Sequence, residues 1–381
     1  MNNDIARTAA YHTTAPPLAR GEFPGASPPG WPSGRMRALT IAAPRKVTLS
    51  WVPIPPPLPG TALVRPELVG LCGTDLELFH GTATYIRDGR APYPIVFGHE
   101  WCGVVVAVGP DTTGVTVHDR VVGHTMLSCG LCRMCQRGYR NLCDHLAEVG
   151  LYGHQGAAAD FLRMPITGLT TLPRTVTDRA AALVEPAVTV VGGLDRVNCG
   201  LQDRVAVLGT GTIGLLAIQL ATRLAGTVHA IGIDDAGLEL AGRCGARRLM
   251  RPEEAEPGAY SLVIEASGAS SAFARGLNLL EPGGRMAVIG VAGEPLNGLV
   301  PGDIALRGIT IVGIRHGLDY YDHTIKLITD HVLDPELLIA NILSPNDAPH
   351  AFEQLEHGRP GQPKLLLRFN ESTHTNNGEP R

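Results

Sequence analysis

Aromatic residues make up only 5% of this chain and charged residues only 18%. The longest apolar stretch, Val205 to Ala225, is broken by Gln219, Thr222, Arg223 and several glycines, so nothing here supplies the ~20 apolar residues of a membrane span. A net charge of −4 leaves no basic footprint for nucleic acid or for an anionic membrane. The first 35 residues lack the apolar core of a signal peptide. What remains is an ordinary globular composition, 44% hydrophobic over 381 residues, enough for two domains with their own cores.

The eight cysteines are the next signal. Four of them, Cys129, Cys132, Cys135 and Cys143, form a C-x2-C-x2-C-x7-C run. Four thiolates can close a tetrahedral site around Zn²⁺ at ~2.3 Å and leave no open position, which makes such a site structural. Gly130 and Gly138 give the backbone room to wrap an ion. Disulfides are disfavoured because nothing marks the chain as secreted. An iron–sulfur cluster is the stronger rival, but the run lacks both the Cys-Pro ending of bacterial ferredoxins and the first gap of the plant type. Cys102, Cys199 and Cys244 read as buried thiols, and the whole usage points to a reducing cytoplasm.

Residues 1–35, rich in Pro, Gly, Ala, Thr and Ser, are expected to be disordered. Met36 opens the patterned part of the chain and is itself a candidate start. From there to about Phe161 the text is β-like, with short runs such as Val104-Val-Val-Ala-Val between Pro and Gly. Past Val188 strands alternate with helices: Val205–Leu208, a helix from Ile213 to Leu224, Val228–Ile233, a helix from Leu238 to Cys244, and further pairs to Ile314. That alternation predicts a parallel sheet with right-handed crossovers. Helices and a final strand from Lys364 follow, and the tail from Asn370 reads as loose.

Gly209-Thr-Gly211-Thr212-Ile213-Gly214 follows the strand and opens the helix, the context that gives a G-x-G-x-x-G meaning. Gly209 makes the turn, Gly211 admits a pyrophosphate, and Gly214 lets helix meet strand. The helix start offers free N–H groups to the phosphates. Asp234, 20 residues after Gly214, is placed to bind ribose hydroxyls. A carboxylate there repels a 2′-phosphate, and no arginine follows nearby in sequence, so NAD is favoured over NADP.

Beyond the closed cysteine site the chain offers Cys72 in Gly70-Leu-Cys-Gly-Thr74-Asp, His99 and Glu100 after Gly98, and Glu185 before Pro186. A catalytic zinc takes three protein ligands and keeps one position open. Spacing alone does not bring positions 72, 99 and 185 together.

These motifs, taken in order with Gly103-Val-Val-Val-Ala-Val-Gly109, resemble the zinc-containing medium-chain alcohol dehydrogenases from Met36 to about Phe369. The polyol and threonine dehydrogenase branch is the nearest, and Gly-His-Glu-Trp-Cys-Gly is similar to aminocyclitol dehydrogenases. The resemblance implies an α/β chain made of a β-rich GroES-like catalytic domain over 36–188, a Rossmann domain over 189–314, a return to the catalytic domain over 315–369 and a flexible tail over 370–381. It implies that Cys72 and His99 bind catalytic zinc with Glu100 or Glu185 as third ligand, and that Thr74 bonds the substrate hydroxyl and starts a proton relay. Many relatives carry a His where this chain has Glu77, which puts the proton's exit in question; His80 lies three residues on.

The reading is a reversible oxidation of a secondary alcohol of polyol, aminocyclitol or hydroxy-amino-acid type to a ketone with NAD, using one catalytic and one structural zinc. The enzyme is expected to be a cytoplasmic homodimer or homotetramer with no nucleic-acid or membrane partner. Zinc as a Lewis acid lowers the pKa of the bound hydroxyl. The rivals are a zinc-independent quinone or enoyl reductase, which would lack the Cys72, His99 and Glu185 set, and a non-enzymatic dinucleotide-binding protein, which has no use for an open zinc.

Overall fold

The structure, a computed structural model, describes residue 28 and residues 30–296, 298–358 and 361–369. Two long strands organise the β-rich part: β1 (Thr61–Gly70) and β2 (Glu100–Val108). They pair antiparallel with Gly70 opposite Glu100. Helix α1 (Gly73–His80) starts directly after β1. Leu39, Ile41, Val64, Val69, Phe97, Trp101 and Phe352 fill the core beneath them.

The expectation of disorder up to residue 35 does not survive between residues 30 and 35. Trp31 is buried against Leu63 and Ala107 and donates its indole N–H to Pro55 O at 3.0 Å, and a strand already runs from Arg35. One large indole with a satisfied N–H is enough to order a short polar segment. Residues 1–27, and the tail from 370, lie outside the described residues.

Helix α2 (Val184–Arg196) leads toward the second sheet and is buried from Val184 to Leu194, as its all-round small apolar sequence requires. Then come β3 (Arg204–Leu208), α3 (Thr212–Leu224), β4 (Thr227–Ile231), α4 (Asp235–Arg243), β5 (Arg248–Met250), β6 (Tyr260–Glu265), α5 (Ser270–Leu279), β7 (Leu280–Val288) and β8 (Thr310–Gly313). All six strands are parallel, in the order β5-β4-β3-β6-β7-β8. This is the doubly wound dinucleotide-binding order, whose crevice opens beyond the carboxyl ends of the strands. Helix α4 begins three residues earlier than periodicity suggested, because Asp234 caps it by accepting Gly237 N–H at 2.6 Å.

The chain then returns. Strand β9 (Lys364–Arg368) pairs antiparallel with β1, Leu366 opposite Gly70. Gly70 is thus flanked by two strands, and a Cβ on it would collide with the Glu100 carboxylate. Three strand ends converge where the sequence placed its scattered donors. No helix among the described residues is long and apolar enough to cross a membrane.

Candidate active site and metal centres

Cys72 leaves the end of β1 and caps α1, its N–H bonded to Asp75 at 2.9 Å. His99 immediately precedes β2, Glu100 opens it, and Glu185 stands in the first turn of α2. Donor atoms of Cys72, His99 and Glu100 lie within 4.8 Å of one another. The buried Asp75 carboxylate sits 3.6 Å from His99 Nδ1, and these two atoms have no other partner among the described residues. A carboxylate behind Nδ1 fixes the ring and leaves Nε2 for a metal, the usual arrangement of a ligating histidine. The donor set of thiolate, imidazole and carboxylate fits zinc.

Glu185 lines the same cleft but is held by different partners: Thr125 donates to Oε1 at 2.6 Å and His316 Nε2 lies at 3.2 Å. Burial would raise its pKa, but the His316 bond, the nearby His99 and the Thr125 bond override that and bring it down to about 2. Glu100 is held by Lys364, whose Nζ lies 2.6 and 2.9 Å from its two oxygens and 3.0 Å from Leu71 O. Both side chains are almost fully buried. Burial lowers the Lys364 pKa, yet Glu100 and Cys72 hold it above its ordinary value; burial raises the Glu100 carboxyl against the lowering pull of the adjacent ammonium.

Thr74 lines the cleft, with its Oγ1 3.9 Å from Cys72 Sγ. Glu77 is exposed one turn further along α1 and does not line the cleft. His80 turns away to Glu356 at 2.9 Å.

The other cysteines gather as their spacing implied. Sulfur–sulfur separations are 3.5 Å for Cys129–Cys143 and 3.8 Å for Cys132–Cys143, close to the ~3.8 Å edge of a tetrahedron with ~2.3 Å zinc–sulfur bonds. Backbone N–H groups of Leu131, Cys132, Asp144 and His145 aim at the sulfurs. Backbone bonds from the Cys135 and Asp144 amides bring the Cys132 thiol down to about 6. Of the three remaining thiols, Cys102 and Cys244 are buried and Cys199 is half-buried.

At the dinucleotide turn Gly209 has φ +105°, Gly214 packs where a Cβ would collide with Gly209 O, and Gly211 has open space around its Cα. That division of labour matches a pyrophosphate cradle, and Thr212 and Ile213 reach the same cleft as the zinc donors. Asp234 stands at the end of β4, with Thr210 Oγ1 3.4 Å from its carboxylate. Against expectation, an arginine does reach this corner. Arg251, from the end of the neighbouring β5, pairs with the exposed Asp235 at 2.5 Å. Parallel pairing of β4 with β5 brings it there; sequence distance hid it.

The residues that went unrecognised in the sequence are Asp75, Thr125, Glu148, Arg315, His316 and Lys364. Each meets the cleft through a contact distant in sequence, apart from Asp75. Only Lys364 left a trace, as a lysine directly ahead of the apolar run Leu365–Leu367.

An open zinc-type site facing a dinucleotide crevice defines a zinc-dependent, dinucleotide-linked dehydrogenase. Residues 58–174 match the alcohol dehydrogenase GroES-like domain and residues 212–330 the zinc-binding dehydrogenase domain. L-threonine 3-dehydrogenase of Symbiobacterium thermophilum is 32% identical over 293 residues, covering 73% of this chain and 82% of the relative. That of Pectobacterium atrosepticum is 27% identical over 354 residues, covering 88% and 95%. Among solved structures, alcohol dehydrogenase TADH from Thermus sp. ATN1 superposes with TM-score 0.79 at 30% identity over 87% of this chain and 99% of its own. A zinc-binding dehydrogenase of Sinorhizobium meliloti 1021 bound to NADP gives 0.81 at 28%, over 88% and 99%. An alcohol dehydrogenase of Escherichia coli CFT073 complexed with NADH gives 0.80 at 26%, over 88% and 99%. The chain belongs to the zinc-dependent medium-chain alcohol dehydrogenase family. It is an NAD(P)-dependent oxidoreductase that oxidises hydroxyl groups.

Proposed function

We propose that this enzyme reversibly oxidises a secondary alcohol to a ketone in the cleft between its two sheets. Cys72, His99 and Glu100 would hold the catalytic ion, with Glu185 as the carboxylate that exchanges with it. Cys129, Cys132, Cys135 and Cys143 would hold the structural one. The observation that carries this is the gathering of three donors within 4.8 Å in a cleft also lined by Thr212 and Ile213 of the dinucleotide turn. Bound zinc supplies Lewis acidity toward the hydroxyl, and the nicotinamide accepts hydride.

The chain's own residues do the positioning. Thr74 is the hydroxyl available to bond the reacting alcohol and take its proton. Glu77, three residues on along α1, offers a solvated acceptor on the same helical face. Asp234 favours NAD over NADP, and Arg251 is the group that would moderate that preference. Eight unbridged cysteines support a reducing cytoplasm. The outer strand β8, with Ile311 and the nearby Leu306 exposed, supports a homo-oligomer.

The test is zinc content and NADH binding in Cys72→Ser. The variant should lose alcohol oxidation and one ion while still binding NADH; substantial turnover without that metal would overturn the reading.

A further inference from the structure

The cleft that holds the metal donors is also lined by Glu148, Tyr85 and Arg315. Glu148 is 5% exposed, deep for a carboxylate outside the metal set. Its Oε1 accepts both from Arg315 Nη2 at 2.8 Å and from Tyr152 OH at 2.9 Å. Oε2 therefore remains the acceptor it can offer to a molecule in the cleft. Arg315 donates through Nη2 alone, so its Nη1 and Nε remain as donors. Arg90 lies across both tyrosine rings, 5.4 Å from the centroid of Tyr85 and 4.6 Å from that of Tyr152. This stack locks the wall from behind.

We propose that the Glu148–Arg315 pair is the substrate-selecting element of this cleft and that it takes a polyhydroxylated alcohol carrying no anionic group, holding the hydroxyls next to the reacting carbon. The proposal rests on the dehydrogenase reading given above. Each hydroxyl both donates and accepts, and a neighbouring donor and acceptor of cancelling charge suit a pair of them. A carboxylate or phosphate needs a cation instead. Among the described residues lining the cleft the cations are Lys364 and Arg315, and the charge of each is already balanced by a buried carboxylate, Glu100 and Glu148. Drawing Arg315 away to an anionic substrate would leave Glu148 buried without its partner, which is strongly unfavourable. The cleft, about 470 Å³, is within the ordinary range for small-ligand sites. Threonine, the substrate named for the curated relatives, is thereby disfavoured here.

The zinc-loaded enzyme should be assayed for NADH formation with myo-inositol, sorbitol, 2-butanol, L-threonine and sorbitol 6-phosphate. At least one neutral polyol should exceed the other three by about tenfold or more in kcat/KM. Glu148→Gln, close to isosteric, should lower the ratio of polyol to 2-butanol kcat/KM about tenfold, the effect of one or two lost hydrogen bonds. Arg315→Gln, which keeps one N–H donor for Glu148 while removing the charge and the remaining donors, should lower it similarly. Threonine or the phosphate as the better substrate overturns the proposal. So does a polyol no better than 2-butanol, or a ratio unmoved in both variants. Failure to oxidise any alcohol, 2-butanol included, instead overturns the dehydrogenase assignment of the metal site and this inference with it.

Discussion

Lys364 Nζ lies 2.6 Å from Glu100 Oε2 although 264 residues separate them. The contact closes the β-rich half, because β9 must return beside β1 to deliver the lysine. It also decides how Glu100 can serve: as a carboxylate with a permanent cation at its back.

Lys364→Met should therefore destabilise the fold by about 3–5 kcal/mol, the usual result of stranding one buried charge. Adding Glu100→Gln should recover much of that loss. Denaturant unfolding of the two single variants and the double variant gives the coupling directly. Additive losses would mean that the two charges do not act as a pair.

The cysteine lobe should stabilise rather than catalyse. Cys135→Ser is expected to lower the melting temperature and reduce bound zinc from about two ions per chain to about one. The folded remainder should keep its turnover per active site. Unchanged melting with abolished chemistry would contradict this.

Trp31→Ala should cost about 3 kcal/mol, as for other buried aromatics cut to alanine. A chain starting at Met36 should share that loss, whereas one starting at Pro28 should match the full-length protein in urea denaturation.

Cofactor preference should respond to two residues in opposite directions. Asp234→Ala is expected to move the NADP⁺/NAD⁺ ratio of kcat/KM upward by about tenfold, since the carboxylate that repels a 2′-phosphate is gone. Arg251→Ala should move it downward by removing the cation that pairs with Asp235 at that corner. No change in either variant would remove both residues from the ribose site.

His124 stacks on Tyr321 at 3.9 Å and bonds Thr170. Burial, aided by His316 and Arg140, brings its pKa from 6.5 down to about 3. Between those values the unfolded chain binds the proton and the folded chain does not. Stability contributed by neutral His124 is thus full above pH 6.5 and falls as pH drops toward 3. His124→Phe should flatten the unfolding free energy across that window by up to about one proton's slope.

The gathering of the four lobe cysteines and the dinucleotide turn were readable from sequence because their signals are local: cysteines a few residues apart, and glycines at a strand–helix junction. Cys72, His99 and Glu185 were readable only as family motifs, since their meeting depends on how β1, β2 and α2 end. Glu148 with Arg315, and Arg251, were not readable at all, and Lys364 left only its place at the head of an apolar run. Their partners are set by strand neighbours and returning loops, and no spacing rule encodes those. The error at residues 30–35 has the opposite origin: composition outvoted one tryptophan.

Gly317 has no room for a side chain, because a Cβ there would collide with Val188 O of α2. The loop carrying Arg315 and His316 is thus seated on the helix that carries Glu185 without a spacer between them. Such a joint has no slack. A slide or tilt of α2 carries the Arg315 guanidinium and the Glu185 carboxylate together, so the two walls of the cleft that they form move as one. Any enlargement at Gly317 or Gly192 acts as a wedge in that joint and moves both walls at once, from positions that touch neither substrate nor metal.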